Sequence, residues 1–263
     1  MPHISVIIPT RNRSDILRRT LSGYANQVDE ADAQLIVIND GSTDDTQNVL
    51  EQLMVTIPRL EWRSTEHMGP AHARNIGLEI AKAPIIFFTG DDMSPECDLL
   101  TGHIAAHGQN DTVAIVGRIE WDPVCNPTKL MKLMAPNGPL FNYHKLVHAK
   151  ERFHRFFYTA NLSINSAVLG DSRFDERFHG AAFEDAELGY RLIRRGITLR
   201  YKPDLCVYHH HHLTVRDLRR RLDAMTTGQR ILESIHPELR ATPWSRTKDF
   251  LLKAMISFFS FFE

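Results

Sequence analysis

Short, uninterrupted apolar runs alternate with amphipathic segments along the first half of this chain. The apolar runs are residues 4–8, 35–38 and 85–88, with a further predicted strand at 60–64. Runs of this kind are typical of strands that are buried on both faces of a parallel sheet. The amphipathic segments, which we expect to be helices, are residues 14–24, 43–53 and 71–81. The alternation predicts an α/β fold with a mixed, mainly parallel, Rossmann-like central sheet that is flanked by helices.

The second half of the chain is less regular. Its predicted strands are residues 113–119, 159–166 and 199–208, and its clearest helix is 184–195. Residues 122–150 have no regular pattern, and we expect this irregular region to take part in selecting a substrate. We expect one domain over residues 1–212, with halves at about 1–120 and about 121–212, followed by a C-terminal helical extension over residues 213–263.

Composition excludes several classes of protein. Hydrophobic residues make up 43% of the 263 residues and charged residues 24%, which predicts a packed core. A formal net charge of −1 argues against a dedicated nucleic-acid-binding protein. Cys97, Cys125 and Cys206 lack the paired spacing of a zinc site or a disulfide framework. We identify neither a signal peptide nor a membrane-spanning run in the sequence, and we expect a cytoplasmic protein.

Polar clusters follow three of the predicted strands. They are Thr10 to Asn12 after the first strand, Asn39 to Gly41 after the second, and Asp91 with Asp92 after the fourth. Ligands of open α/β sheets bind outside the carboxyl ends of the strands. The clusters therefore predict a binding site at this edge of the sheet.

The adjacent carboxylates Asp91 and Asp92 are the strongest metal candidates. Two acids at a buried strand end repel one another, and Mg²⁺ or Mn²⁺ would compensate them while also binding a diphosphate. A solvated turn or a helix cap explains the pair equally well on its own. Similarly, Asp40 fits either an ordinary turn or a contact to a base or ribose, and Arg74 fits either a packing helix or an anion site.

Five segments, taken in order, resemble the family-2 glycosyltransferases of GT-A fold. They are residues 5–12 (SVIIPTRN), 39–44 (NDGSTD), 69–77 (GPAHARNIG), 87–95 (FFTGDDMSP) and 183–192 (FEDAELGYRL). Each motif is degenerate, but the ordered set is specific, and the resemblance covers roughly residues 4–212.

The resemblance implies roles in donor binding. The residues that would lie around a nucleotide-sugar donor are Pro9, Thr10, Arg11, Asp40, Arg74 and Asp91. A UDP-sugar is the expected donor, with Asp40 at the uracil or ribose. Asp92 would coordinate Mn²⁺ or Mg²⁺, and Asp91 would face the ribose or donor sugar. The chain departs from the family's DxD motif at its first position, which is Gly90.

Glu184 and Asp185 resemble the family's catalytic ED motif. In an inverting transferase a carboxylate takes the proton of the acceptor hydroxyl, and we assign that role to Asp185, with Glu184 and Glu187 supporting it. The metal stabilises charge on the leaving diphosphate. Without the resemblance, a charged helix start that favours the helix dipole would explain these acids.

A run of four histidines follows the last predicted strand. Because side chains alternate along a strand, His209 and His211 share one face. In related enzymes a histidine beyond the ED helix can complete the metal shell, so we predict that one of this pair reaches the metal or the diphosphate. The alternative is a solvated strand end.

The extension contains a basic run and an aromatic tail. Residues 249–263 are rich in phenylalanine and follow several basic side chains. They are too short to span a bilayer, but they could lie on an anionic membrane surface, pack on the domain or form a homodimer.

Together these features predict a non-processive, inverting, metal-dependent glycosyltransferase. Its partners would be a nucleotide-sugar and a glycan or lipid-linked acceptor, in the synthesis of cell-surface glycans or glycolipids. No QxxRW motif of processive synthases is present. A nucleotidyltransferase of related fold is disfavoured because no glycine-rich, arginine-containing loop follows the first strand, and an NAD enzyme because GxGxxG is absent. A catalytically impaired nucleotide-sugar-binding protein is the remaining alternative, supported by Gly90.

Overall fold

A computed structural model describes residues 1–108, 112–136, 138, 140–146, 153–180 and 182–240 of the chain. Its centre is one eight-stranded sheet in the order β3-β2-β1-β4-β7-β6-β8-β5. The strands are β1 (Ile4–Thr10), β2 (Ala33–Asp40), β3 (Leu60–Thr65), β4 (Ile85–Thr89), β5 (Met93–Pro95), β6 (Val113–Trp121), β7 (Asn161–Asn165) and β8 (Thr198–His209).

The first half of the sheet is parallel, as the apolar runs predict. β1 pairs with β2 on one side and with β4 on the other, and β2 also pairs with β3. All three pairings are parallel. Every residue of β2 is buried, because helices cover both faces. The register aligns Thr10 with Asn39 and Asp40 with Thr65, so these strands end at one edge of the sheet.

The second half of the sheet mixes directions. β7 runs antiparallel to both β4 and β6, whereas β6 and β8 are parallel. The short β5 pairs antiparallel with the end of β8. The predicted mixed, mainly parallel α/β architecture is confirmed.

The helices flank this sheet. They are α1 (Ser14–Ala25), α2 (Thr46–Thr56), α3 (Pro70–Ile80), α4 (Leu99–His107), α5 (Lys129–Met134), α6 (Tyr143–Leu146), α7 (Ser166–Leu169), α8 (Glu184–Arg194) and α9 (Val215–Ile235). The predicted start of α2 at Thr43 is wrong by three residues. Asp44 accepts a hydrogen bond from the Thr46 backbone N–H at 3.1 Å, in the turn that precedes the helix.

The extension beyond β8 begins with α9. Thr214 and Asp217 form a capping box at its start, and Leu218 and Leu232 are buried against the rest of the fold. Residues 241–263, which include the aromatic tail, lie outside the described residues, so membrane or dimer contact and the boundary at residue 212 stay predictions. Among the residues described, every helix falls short of the length or apolar character needed to cross a bilayer.

Candidate active site

Strand pairing brings the acidic motif after β4 to the histidine run after β8. Asp91 and Asp92 follow β4 and are each only 7% exposed. Met93, the next residue, opens β5 and pairs with His209 at the end of β8. The backbone N–H of His210 donates to the Asp92 carbonyl at 2.8 Å. Residues more than a hundred positions apart in sequence thus share one sheet corner.

Asp91 and Asp92 have different surroundings although they are neighbours. Asp91 accepts a hydrogen bond from the Thr10 hydroxyl at 2.7 Å. Burial and the charge of Asp92 raise the pKa of Asp91 to about 6. Burial opposes ionisation of Asp92 as well, but His209 and Arg13 outweigh it and hold the pKa of that carboxyl well below its usual range. Asp92 is therefore the carboxylate that stays charged.

The three predicted metal ligands lie together. Ligand atoms of Asp92, His209 and His211 all lie within 4.8 Å of one another. His209 Nε2 is 3.2 Å from Asp92 Oδ2, and its ring stacks on Trp121 at 5.1 Å between centroids. His210 points away and contacts Asp122 at 2.9 Å, as strand alternation requires.

This cluster fits a divalent ion by its donor set. One carboxylate and two imidazoles are a known combination for first-row transition ions, and Mn²⁺ accepts both kinds of donor. His209 Nδ1 is buried without a hydrogen-bond partner among the described residues, so the ring is held by its stacking on Trp121 and by the contact of Nε2 to Asp92. A side chain at Gly90 would begin 3.0 Å from Asp92 Oδ1, so the tight turn leaves little room for the missing first acid.

Asp40 organises the loop before α3. Its carboxylate accepts hydrogen bonds from the Met68 and Gly69 backbone at 2.8 and 3.0 Å and contacts His67 at 2.8 Å. Gly69 has φ of +97°, and a Cβ there would lie 2.4 Å from the carbonyl oxygen of His179. Asp40 thus fixes the loop before α3, and its contact to a nucleotide stays a prediction.

Two other predicted donor residues flank Thr10 at the end of β1. Pro9 is partly buried and Arg11 is exposed. Both lie at the same sheet edge as Asp91, because the Thr10 side chain bonds to that carboxylate.

Arg74 lies on α3 and connects the donor-side motif to the ED motif. Its Nη1 donates to Glu184 Oε1 at 2.9 Å, and its guanidinium lies 5.4 Å from the centre of the Phe174 ring. Arg74 and Glu184 are 7% and 3% exposed. Arg74 Nε and Glu184 Oε2 are buried without a hydrogen-bond partner among the described residues. We expected Arg74 at the donor, and the structure places its charge on Glu184.

Asp185 is the more exposed of the two acids in the ED motif. Phe183, with φ of +72°, turns the chain into α8, and Asp185 is partly exposed in the second helical position. Desolvation of the carboxyl group and the charge of the neighbouring Glu184 raise the pKa of Asp185 to about 7. Glu187, which we expected to support it, bonds instead to Arg191 and His236. A partly accessible carboxylate with this pKa is suited to accept a proton near neutral pH.

Sequence reasoning missed two arginines. Arg13 Nη1 is 3.2 Å from Asp91 Oδ1 and 2.5 Å from Asp92 Oδ2. Arg221 on α9 interacts electrostatically with Asp185, Glu184 and Asp92. Arg13 lies three residues after Thr10, and Arg221 lies in the basic run of α9. The sequence signals for these two arginines are a positive charge close to a polar strand end and a cluster of positive charges on one helix.

Comparison with known proteins agrees with these motifs. Residues 5–172 match the model of Glycosyl transferase family 2. Validoxylamine A glucosyltransferase of Streptomyces hygroscopicus subsp. jinggangensis is 31% identical over 225 residues, covering 76% of this chain and 53% of that protein. The chain spans less than two thirds of the length of these curated relatives, at 64% and 53% for two of them.

Solved structures share the fold. The mannosyltransferase PcManGT from Pyrobaculum calidifontis, in complex with GDP-Man and Mn²⁺, has a TM-score of 0.67 at 17% identity, over 97% of this chain and 69% of that one. TarS 1–349 of S. aureus in complex with UDP has a TM-score of 0.62 at 18% identity, over 86% of this chain and 65% of that one. With the GT-A fold and the family match together, this chain belongs to glycosyl transferase family 2.

Proposed function

We propose that this enzyme moves a sugar from a UDP-sugar to an acceptor hydroxyl with inversion, with a divalent ion held by Asp92, His209 and His211. The observation that carries the proposal is the cluster of Asp92, His209 and His211, whose ligand atoms all lie within 4.8 Å of one another. The charge of Arg221 on α9, which acts on both Asp92 and Asp185, supports it.

Asp185 performs the proton transfer in this proposal. The acceptor oxygen forms a bond to the anomeric carbon as its proton passes to a carboxylate oxygen of Asp185. The bond between that carbon and the diphosphate breaks, and the nucleoside diphosphate leaves from the opposite face, which inverts the configuration. A bound ion supplies positive charge to the leaving diphosphate.

The fixed neighbours of Asp185 keep it available. Glu184 pairs with Arg74 at 2.9 Å and is buried, whereas Asp185 is partly exposed and is the more accessible of the two acids. The Ala186 backbone N–H donates to Asp185 Oδ1 at 2.7 Å and orients the carboxylate. These contacts support Asp185 as the base and Glu184 as a positioning residue.

The ion we propose is Mn²⁺ in preference to Mg²⁺. Mg²⁺ strongly prefers oxygen ligands, whereas two of the three candidate ligands here are imidazoles. A structural neighbour of this chain was solved with Mn²⁺, which supports the proposal.

A crevice beside the start of α8 is the proposed acceptor side. It has a volume of about 200 Å³ and is lined by Phe178, His179, Ala182, Gly228 and Ile231, among others. Its mostly apolar lining supports an acceptor with an apolar portion, such as a lipid-linked glycan. This acceptor class and a role in cell-surface glycan or glycolipid synthesis are part of the proposal.

Thermal unfolding with nucleotides tests the donor and the metal together. UDP with Mn²⁺ should raise Tm by about 5 °C or more at a concentration of about 100 times Kd. UDP alone, and GDP or CMP with Mn²⁺, should give smaller shifts. A shift with GDP and none with UDP would make the donor assignment wrong, because neighbours of this fold have been solved with either nucleotide.

A catalytically impaired binding protein is the second candidate, because Gly90 removes one acid of the DxD motif. Hydrolysis of a panel of nucleotide-sugars distinguishes the two. Slow, Mn²⁺-dependent release of UDP from one donor supports the transferase, whereas binding without any hydrolysis or transfer supports the impaired protein. The alternative of a nucleotidyltransferase has no support from the family match.

A further inference from the structure

Arg13 already occupies the bridging position between the two donor-side carboxylates. One nitrogen, Nη1, lies 3.2 Å from Asp91 Oδ1 and 2.5 Å from Asp92 Oδ2. A divalent ion held by Asp92 would compete for the Oδ2 atom that this guanidinium contacts. Asp92 Oδ2 is also 3.2 Å from His209 Nε2, so the oxygen best suited to a metal has two partners in the chain.

The charges explain why Arg13 is held there. Asp91 and Asp92 are both 7% exposed, and two buried acids side by side require a counter-charge. The guanidinium supplies one positive charge through charge-assisted hydrogen bonds, which are among the stronger polar contacts in proteins.

Arg13 is also free to leave. Its side chain is 37% exposed, whereas the two carboxylates it contacts are 10% exposed. It is the N-cap residue of α1: its backbone carbonyl accepts from the Leu17 N–H at 2.9 Å, while its side chain makes no capping hydrogen bond. By contrast, Arg74 is 8% exposed and packs on the Phe174 ring. Arg13 can therefore swing into solvent without opening the core.

We propose that Arg13 is a resident counter-cation that competes with the divalent ion for Asp92, and that it thereby sets the affinity of the metal site. The inference rests on the metal site of the proposed function. It assigns to Arg13 a role opposite to that of a ligand: its removal strengthens metal binding.

Direct titration of Mn²⁺ without nucleotide tests this inference, with free Mn²⁺ followed by electron paramagnetic resonance. Arg13→Gln should bind Mn²⁺ about tenfold more tightly than the unmodified chain, because the ion no longer displaces a charge-assisted contact. Arg13→Lys keeps the competing charge and should stay close to the unmodified chain.

Two controls make the result specific. Arg18→Gln removes another arginine from α1, one that contacts Gln52 at 2.9 Å on the exposed face, and should leave Mn²⁺ affinity unchanged. Asp92→Asn in the Arg13→Gln background should abolish the tightened binding, which shows that the ion titrated is the one at this site. Circular dichroism confirms that each variant is folded.

The failures of the two proposals are distinguishable. Equal or weaker Mn²⁺ binding by Arg13→Gln overturns the role of Arg13 and leaves the metal site standing. No binding by any variant overturns the metal site and the inference together. Binding by Arg13→Gln alone, with none by the unmodified chain, is the strongest form of the expected result.

Discussion

Two pairs of adjacent acids define the candidate site, and they differ in how their charges are compensated. Asp91 and Asp92 contact Arg13, whose side chain is 37% exposed. Glu184 in the second pair contacts Arg74, which is 8% exposed. Histidines adjoin the first pair, with His209 Nε2 at 3.2 Å from Asp92 Oδ2.

This difference assigns the two pairs to different chemistry. A counter-charge at the surface can exchange with an ion, so the first pair is suited to bind a metal and a diphosphate. A counter-charge within the core cannot exchange, so it fixes Glu184 and leaves Asp185 to act. Burial raises the pKa of a carboxyl in both pairs, to about 6 for Asp91 and about 7 for Asp185. The pKa alone does not separate their roles, whereas the exposure of the arginine does.

The largest expected effect follows removal of the base. Asp185→Asn should lower the rate of transfer by about 10²- to 10⁴-fold, because the amide cannot accept the acceptor proton. Binding of UDP with Mn²⁺, measured by calorimetry, should be unchanged. Asp171→Asn, at an exposed aspartate outside the site, is the matched control. Loss of UDP binding by Asp185→Asn would remove Asp185 from the role of base.

The next largest effect compares the two arginines by stability. Arg74→Ala should lower the free energy of unfolding by about 3–5 kcal/mol, because it leaves Glu184 charged and buried without a partner. Arg13→Ala should cost less than half of that, since its side chain is 37% exposed and water replaces part of the contact. Urea unfolding measures both. Equal losses would show that exposure does not distinguish the two pairs.

A smaller effect concerns pH. With the pKa of Asp185 near 7, kcat/KM should rise about tenfold per pH unit below 7 and level off above it, because only the ionised base accepts a proton. A flat profile between pH 5 and about 8, with turnover limited by chemistry, would contradict this assignment.

The same pKa affects folding in the opposite direction. The folded state binds the proton of Asp185 more tightly than the unfolded state, in which the pKa of an aspartate has its ordinary value of 3.8. Stability contributed by this group is therefore present at low pH and is lost as pH rises through about 7. Asp185→Asn should raise Tm more at pH 8 than at pH 5. An equal change at both pH values would count against the raised pKa.

The smallest effect tests whether the second pair needs α9 to hold α8. His236, just after α9, contacts Glu187 on α8 at 2.9 Å. His236→Ala should reduce the free energy of unfolding by about 1 kcal/mol, because Arg191 still pairs with Glu187. Mn²⁺ affinity at the first pair should not change. A change there would show that the two pairs are not independent.

Several parts of the fold followed from local pattern alone. The buried strands β1, β2 and β4 are visible as apolar runs, and α8 is visible as an amphipathic helix ended by glycine. By contrast, α4 and the short β5 were not predicted. The α4 sequence shows no clear apolar face, and β5 is a three-residue strand that exists because β8 lies beside it.

The sequence by itself determined the α/β class, the order of the polar strand ends and the identity of Asp92, Asp185 and the histidine pair as candidates. Only the tertiary structure decided which charges meet. The placement of Arg13 on Asp91 and Asp92, and of Arg74 on Glu184, depends on strands and helices that are distant in sequence. Local propensity specifies where a strand ends, but the partner of a buried charge is fixed by packing across the sheet.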